Sequence, residues 1–311
     1  MYTLAGLTLE MKEIVIVSGK GGVGKSSITA SLAVLLKKNG VNVTAVDTDV
    51  DAPNLAIVLG TALDDFVDVK ASEKASIDQN KCVKCGKCIT ACKPGALIGI
   101  EKKPVLIPFL CEGCGVCTIV CPTSAISIVR RVNGRIGVAE TPYGFKLVSG
   151  QLDMGESSSG HIVTAVKSKA RAVAEDSKSD LIIVDGPPGI GCPVIASVAG
   201  ANYALVITEP TPAARNSLDR MISVLGHFDI PASIVINRFD LNPDYAHEME
   251  EWINAKWNMD VVQKVPADDN VLISLSKRIP VVEHNPDCEA SRAISAIASR
   301  ILTEIPSGSQ R

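Results

Sequence analysis

Excess charge is what this sequence has least of. Its 31 lysines and arginines nearly offset its 34 aspartates and glutamates, leaving a formal net charge of −3. A chain so balanced offers no general surface for nucleic acid or membrane. A leader is missing too: MYTLAGLTLE has neither a basic start nor a long apolar core, so no secretory signal is expected. The longest uncharged run, residues 186–208, is long enough to span a bilayer. It holds Pro187, Pro188, Pro193 and several glycines and follows Asp185, so loop, helix and buried strand account for it better. Aromatics are few, at 4%, against 46% hydrophobic residues overall; 311 residues suffice for a substantial core in one large domain or two. A soluble, cytoplasmic protein is expected, with no nucleic-acid partner and no membrane insertion.

What is present begins early. Residues 13–18 (EIVIVS) read as a short buried strand, and residues 27–38 as a helix with Ile28, Leu32, Leu35 and Leu36 at helical spacing. Gly40 stands where a helix-ending glycine belongs. Between strand and helix lies Gly19-Lys20-Gly21-Gly22-Val23-Gly24-Lys25-Ser26-Ser27. Strand, glycine loop and helix are the setting of a phosphate-binding loop. Glycines let backbone N–H groups turn inward, and the helix N-terminus adds partial positive charge toward the anion. Lys25 is expected at the β- and γ-phosphates and the Ser26 hydroxyl on Mg²⁺. The chain reads as a nucleotide binder. Residues 1–10 form an extension of no clear role, and Met11 is a candidate true start.

Two acidic segments follow strands. The strand at 41–46 ends in Asp47-Thr48-Asp49-Val50-Asp51, beyond a carboxyl end where ligands sit in open α/β sheets. Asp51 reads as a solvated loop acid. Residues 181–184 read as a central strand running into Asp185 and the turn Gly186-Pro187-Pro188-Gly189. An aspartate there can hold Mg²⁺, and the turn can follow the γ-phosphate. Helices are expected at 161–174, 213–228, 243–257 and 290–303, and strands at 203–208, 230–236 and 261–265. Ile294, Ile297 and Ile301 form one stripe of the last helix, expected to pack on the sheet and not on a membrane.

From about 68 to 131 the composition changes, and α/β alternation is expected to resume only after a turn at 132–135. Lysines 70, 74, 81, 84, 87, 93, 102 and 103 make the segment locally basic. Eight of the ten cysteines lie here: Cys82, Cys85, Cys88 and Cys92 repeat 29 residues later as Cys111, Cys114, Cys117 and Cys121. Each half ends in a short strand signal, at 96–100 and 125–129. The spacing C-x₂-C-x₂-C-x₃-C, ending Cys121-Pro122, is that of bacterial two-cluster ferredoxins. In that pattern the fourth cysteine of each run ligates the other cluster. Cys82, Cys85, Cys88 and Cys121 are thus assigned to one [4Fe–4S] cluster, and Cys92, Cys111, Cys114 and Cys117 to the second. Zinc fits two such runs poorly. Lys93 stands where proline often follows, with Pro94 one place on. Cys288 reads as a buried or partly buried thiol and Cys192 as a small packing residue. His161, His227, His247 and His284 show no ligand spacing.

The loop KGGVGKS and Asp185-Gly186-Pro187-Pro188-Gly189 together resemble the MinD/Mrp/ParA group of ATPases with a deviant Walker A motif. The resemblance covers nearly the whole chain. It implies an α/β P-loop NTPase fold, a mostly parallel sheet flanked by helices, at 11–67 and 132–311. A small α+β ferredoxin-like domain is expected as an insertion at 68–131. It also implies an ATP-dependent homodimer in which Lys20 contacts the partner's nucleotide. Lys20, Lys25 and Asp49 would then be catalytic, Asp49 by positioning water, and Ser26, Asp47 and Asp185 would serve Mg²⁺. Asn237 matches the family's adenine-recognition position, and Pro266-Ala267-Asp268 its base-flanking loop. The C-terminal CxxC of Mrp/Nbp35 scaffolds is absent.

The function expected is an ATPase whose nucleotide state governs electron transfer through two [4Fe–4S] clusters to a partner protein. The alternatives are an iron–sulfur or metallocofactor assembly ATPase, delivering clusters to an acceptor, and a redox-sensing positional switch.

Overall fold

The computed structural model describes residues 11–156 and 159–304. The expected extension at 1–10 and the tail beyond 304 lie outside them.

β1 (Lys12–Ser18) is buried along its whole length. Ile14 and Ile16 enter one core and Val15 and Val17 the other, which is why it reads as an unbroken apolar run. α1 (Lys25–Lys38) packs Ile28, Leu32 and Leu36 into the first core. Asn39 ends it, and Gly40, at φ 86°, carries the chain away. β2 (Val43–Asp47), the single-turn α2 (Leu55–Val58) and β3 (Asp64–Val69) follow.

The next segment builds its own small core. β4 (Ser72–Ile77) pairs antiparallel with β7 (Ile126–Arg131), lacing its two ends together. Between them lie α3 (Lys87–Ala91), the hairpin β5 (Leu97–Ile100) and β6 (Lys103–Leu106), and α4 (Val116–Ile119). Ala75, Ala96, Leu97 and Ile126 pack there with Cys88, Cys111 and Cys117.

The expected return to α/β alternation at 132–135 does not occur. β8 (Gly134–Glu140) and β9 (Lys146–Leu152) instead form an antiparallel pair. β9 lies parallel to β2, and a tight turn, with Phe145 O accepting from Thr141 N at 2.9 Å, sends β8 back alongside it. Alternation starts at α5 (Ser159–Asp176) and runs through β10 (Leu181–Pro188), α6 (Cys192–Val198), β11 (Tyr203–Thr208) and α7 (Pro212–His227). It continues with β12 (Ala232–Asn237), α8 (Pro243–Trp257) and β13 (Val261–Val265). α9 (Asp269–Lys277), α10 (Val281–His284) and α11 (Glu289–Glu304) close the described chain.

The sheet order is β13-β12-β11-β1-β10-β2-β9-β8-β3, parallel from β13 to β9 and antiparallel at the β8–β3 edge. α1, α10 and α11 cover one face, and α5, α6, α7 and α8 the other. Residues 186–208 form the end of β10, α6 and β11, as their prolines suggest. Among the described residues no helix is long and apolar enough to cross a membrane. Ile294, Ile297 and Ile301 are buried in the first core, where α11 meets α1 and β13. Each such side chain contributes about 1.5–3 kcal/mol by burial. Cys288 is buried, but Cys192 is exposed at the start of α6 and is not the packing residue its size suggested.

Candidate functional site

Strand order assembles the nucleotide site. β1, β10 and β2 are neighbours, so the loop after Ser18, the Asp185 turn and the Asp47 loop emerge side by side at the carboxyl edge. Asp47 and Asp185 are register partners across β2 and β10. Gly189 N donates to Ser18 O at 3.0 Å, tying the turn after β10 to the glycine loop.

Gly24 sits at φ 95° as the N-cap of α1, a left-handed conformation in which any Cβ would lie 2.4 Å from Asn237 Nδ2. That amide donates to Val23 O at 2.8 Å, so Asn237 at the end of β12 braces the loop. Lys25 and Ser26 open the helix directly behind it, Lys25 with its side chain almost fully buried. The anion-binding geometry of a helix N-terminus is therefore built from residues 19–27.

Asp185 and Asp49 lie within reach of Lys25, and Asp47 lies beside Asp185. Asp185 accepts from Thr29 Oγ1 at 3.2 Å and from the Ser26 hydroxyl. Burial raises its pKa, against the lowering effects of Lys25, Ser26 and Thr29. Asp47 accepts from the backbone N–H groups of Asp49 (3.0 Å), Asn54 (2.9 Å) and Leu55 (2.9 Å), which shape the loop after β2. Burial and the neighbouring Asp185 nonetheless push its pKa well above the carboxylate range. Asp49 is pushed up to about 6, by burial and then by Asp185 and Asp51, with Lys25 opposing. Buried carboxyls that repel one another next to a hydroxyl make a hard oxygen donor set of the kind Mg²⁺ takes. Ser26, Asp47 and Asp185 fit that ion. Asp51 is exposed.

Lys20 points elsewhere within its own chain. Its Nζ lies 2.8 Å from Glu209 Oε1, half exposed, and Arg238 Nη1 approaches the other oxygen of Glu209 at 3.7 Å. Pro266 and Asp268 follow β13, whose Val265 is the register partner of Asn237, so both segments reach the same corner. Ala267 N donates to Asp240 Oδ1 at 2.7 Å. Asp268 caps α9, accepting from Asn270 N (2.9 Å), Asn270 Nδ2 (2.7 Å) and Ala290 N (3.2 Å). Slight burial opposes the effect, but these bonds hold its carboxyl down at about 2.

Thr29, Thr48 and Glu209 escaped the sequence reading. Thr29 stands one helical turn beyond Lys25, a spacing that puts it on the same face. Glu209 follows β11, one strand over from β1, and was visible as an acid at a strand's carboxyl end. Nothing in the sequence marks Thr48 apart from its place between two aspartates.

The eight clustered thiols fall into two sets. Cys82, Cys85, Cys88 and Cys121 line one recess, with Pro122, Thr123 and Ile126. Cys92, Cys111, Cys114 and Cys117 line a second, with Leu97 and Ile128. Each set takes three thiols from one run and the fourth from the other. Burial pushes the Cys117 thiol up, and Cys111, Cys114 and Cys92 add to it across the recess. Among the described residues no three His, Cys, Asp or Glu side chains gather around a single-ion position. Thiols spaced around a recess suit a polynuclear group better than one tetrahedral ion with sulfurs at about 2.3 Å. Two backbone amides already aim at sulfur: Ala75 N at Cys111 Sγ (3.4 Å) and Ala125 N at Cys121 Sγ (3.2 Å).

Comparison with known proteins bears on the nucleotide half. Uncharacterized protein MJ0578 of Methanocaldococcus jannaschii is 36% identical over 273 residues, 88% of this chain and 91% of that one. The iron-sulfur cluster carrier protein of Aquifex aeolicus is 25% identical over 311 residues, 95% of this chain and 68% of that one. The septum site-determining protein MinD of Pyrococcus horikoshii, solved with Mg-ADP, shares the fold. Its TM-score is 0.57 at 18% identity, over 94% of this chain and 96% of that one. The model of the CobQ/CobB/MinD/ParA nucleotide binding domain matches residues 14–281, and the chain belongs to that family.

Proposed function

We propose that this protein is a Mg²⁺-dependent ATPase, dimeric with ATP bound, whose nucleotide state controls one-electron transfer from a ferredoxin-like domain inserted at 68–131. The observation that carries the reading is the crossed sorting of eight thiols into two four-cysteine recesses. A [4Fe–4S] cluster, when bound, takes up and gives back single electrons. Four cysteines on each site leave no open position for a substrate, which favours electron relay to a redox partner over substrate activation.

On the nucleotide side, the loop amides and Lys25 hold the β- and γ-phosphates, and Ser26, Asp47 and Asp185 hold Mg²⁺. Asp49 orients the attacking water. Asn237 and the 266–268 loop, which share one corner of the sheet edge, would flank the base. Lys20 completes the partner's site, and to do so it must leave Glu209.

The test is reduction of a one-electron acceptor such as cytochrome c by the dithionite-reduced protein, with ATP and with ADP. The reading predicts different rates for the two nucleotides; equal rates remove the coupling. A second reading, delivery of clusters to an apo-acceptor, is favoured by the likeness to the Aquifex aeolicus carrier. It predicts that iron leaves this chain during the assay, whereas an electron relay keeps its iron.

A further inference from the structure

The 29-residue repeat makes the two thiol sites nearly equivalent in sequence, and one buried lysine breaks the equivalence. Lys74 precedes Cys82 by eight residues; its counterpart, 74 + 29, is Lys103, eight before Cys111. Lys103 is exposed on β6. Lys74, on β4, is only 2% exposed. Its Nζ donates to the carbonyl of Cys111 at 3.1 Å and pairs with Glu156 Oε2 at 3.1 Å. Among the described residues, a cation held inside against a ligand of one site has no match at the other.

Glu156 ties this cation to the nucleotide side. Leu152 N, at the end of β9, donates to Val50 O at 2.9 Å, next to Asp49. Asp153 N then bonds Asn133 O at 2.9 Å, and Glu156 N bonds Asp153 O at 3.0 Å. The loop that faces the γ-phosphate thus sets the turn that carries Glu156.

We infer that Lys74 raises the reduction potential of the Cys92/Cys111/Cys114/Cys117 site above that of its twin, and that Glu156 offsets part of this rise and makes the site respond to nucleotide. The inference rests on the proposed two-cluster ATPase. Reduction adds one electron and one negative charge to the site. A buried ammonium favours that state, and the Glu156 carboxylate tempers the effect. Movement of the 47–55 loop shifts Glu156 relative to Lys74 and changes the balance. Lys74 and Glu156 are positioning residues: they touch a ligand's backbone and each other, not the reacting atoms.

The test is an EPR-monitored redox titration of the full chain, with iron counted first and with ADP or a non-hydrolysable ATP analogue present. Lys74→Met moves the higher of two waves downward by about a tenfold change in reduced-to-oxidised ratio, about 59 mV for one electron, and leaves the lower wave in place. Glu156→Gln moves the same wave upward and removes its nucleotide dependence. Lys74→Arg restores the original position, which a merely structural role would not predict. Waves that shift together, or a higher wave unmoved by Glu156→Gln, overturn the inference while leaving the two-cluster reading intact. Fewer than about eight irons per chain in the unsubstituted protein overturns both.

Discussion

Thr48 donates twice to the carbonyl oxygen of Asp185, through its backbone N–H at 2.9 Å and its hydroxyl at 2.8 Å. The loop after β2 and the turn after β10 are thereby joined at one buried atom, directly behind the carboxyls proposed to hold Mg²⁺. Thr48→Val keeps the shape and the N–H bond but removes the hydroxyl. Denaturant unfolding should show a loss of about 1 kcal/mol. ATP hydrolysis should fall as well, because Asp47 and Asp185, still register partners, would be held less firmly to one another. A stability loss with unchanged turnover would mean the link is structural only.

The raised carboxyls predict a pH effect on the unliganded protein. Asp49 titrates at about 6 in the folded chain and near 3.9 when unfolded. Between those values the folded state holds a proton that the unfolded state has released. That part of the stability is fully present below about pH 4 and is lost as pH rises through about 6. Asp49→Asn should flatten the pH profile in that window, as should saturating Mg²⁺ and nucleotide, since a cation replaces the proton. Chemical denaturation of both proteins from acid to neutral pH measures the difference.

Lys20 is half exposed and Arg238 remains beside Glu209 when it is gone, so Lys20→Ala should cost the isolated chain about 1 kcal/mol at most. Its effect should appear elsewhere. ATP-dependent dimerisation, followed by light scattering, should weaken, and turnover should fall by on the order of 10²–10³-fold. Glu209→Gln releases Lys20 without removing it and should leave the dimer intact or strengthen it. Loss of the dimer in that variant would contradict the exchange of partners.

Crossed ligation predicts which cysteine variants look alike. Cys92→Ser and Cys117→Ser should lose the same EPR signal, although 25 residues separate them and a hairpin intervenes. Cys92→Ser and Cys88→Ser should differ despite being neighbours. If the neighbours share a spectrum, each run of four holds its own group.

How much of this was legible in the sequence depended on where each residue's partners lie. β1, β10 and β11 read clearly because a parallel strand buried on both faces is a continuous apolar run. The glycine loop and Asp185 read clearly because their meaning lies in adjacent residues. β8 and β9 did not, since RIGVAE and LVSGQL carry no strict alternation and the hairpin they form is held in the sheet by distant strands, β3 on one side and β2 on the other. Lys74 was counted among the lysines of a locally basic segment, yet it is buried. Only the fold brings Glu156 and the Cys111 carbonyl to it. Asn237 was read for the base, and its visible partner is Val23 O, a contact made across 214 positions.

The account's central claim is that one polypeptide joins a triphosphate site to two iron–sulfur sites. Its most direct test is iron and acid-labile sulfide analysis of the anaerobically purified full chain, with EPR of the dithionite-reduced sample. The account predicts about eight iron and eight sulfide per chain, with a spectrum of two interacting [4Fe–4S] centres. Stoichiometric zinc, or iron without sulfide, would contradict it.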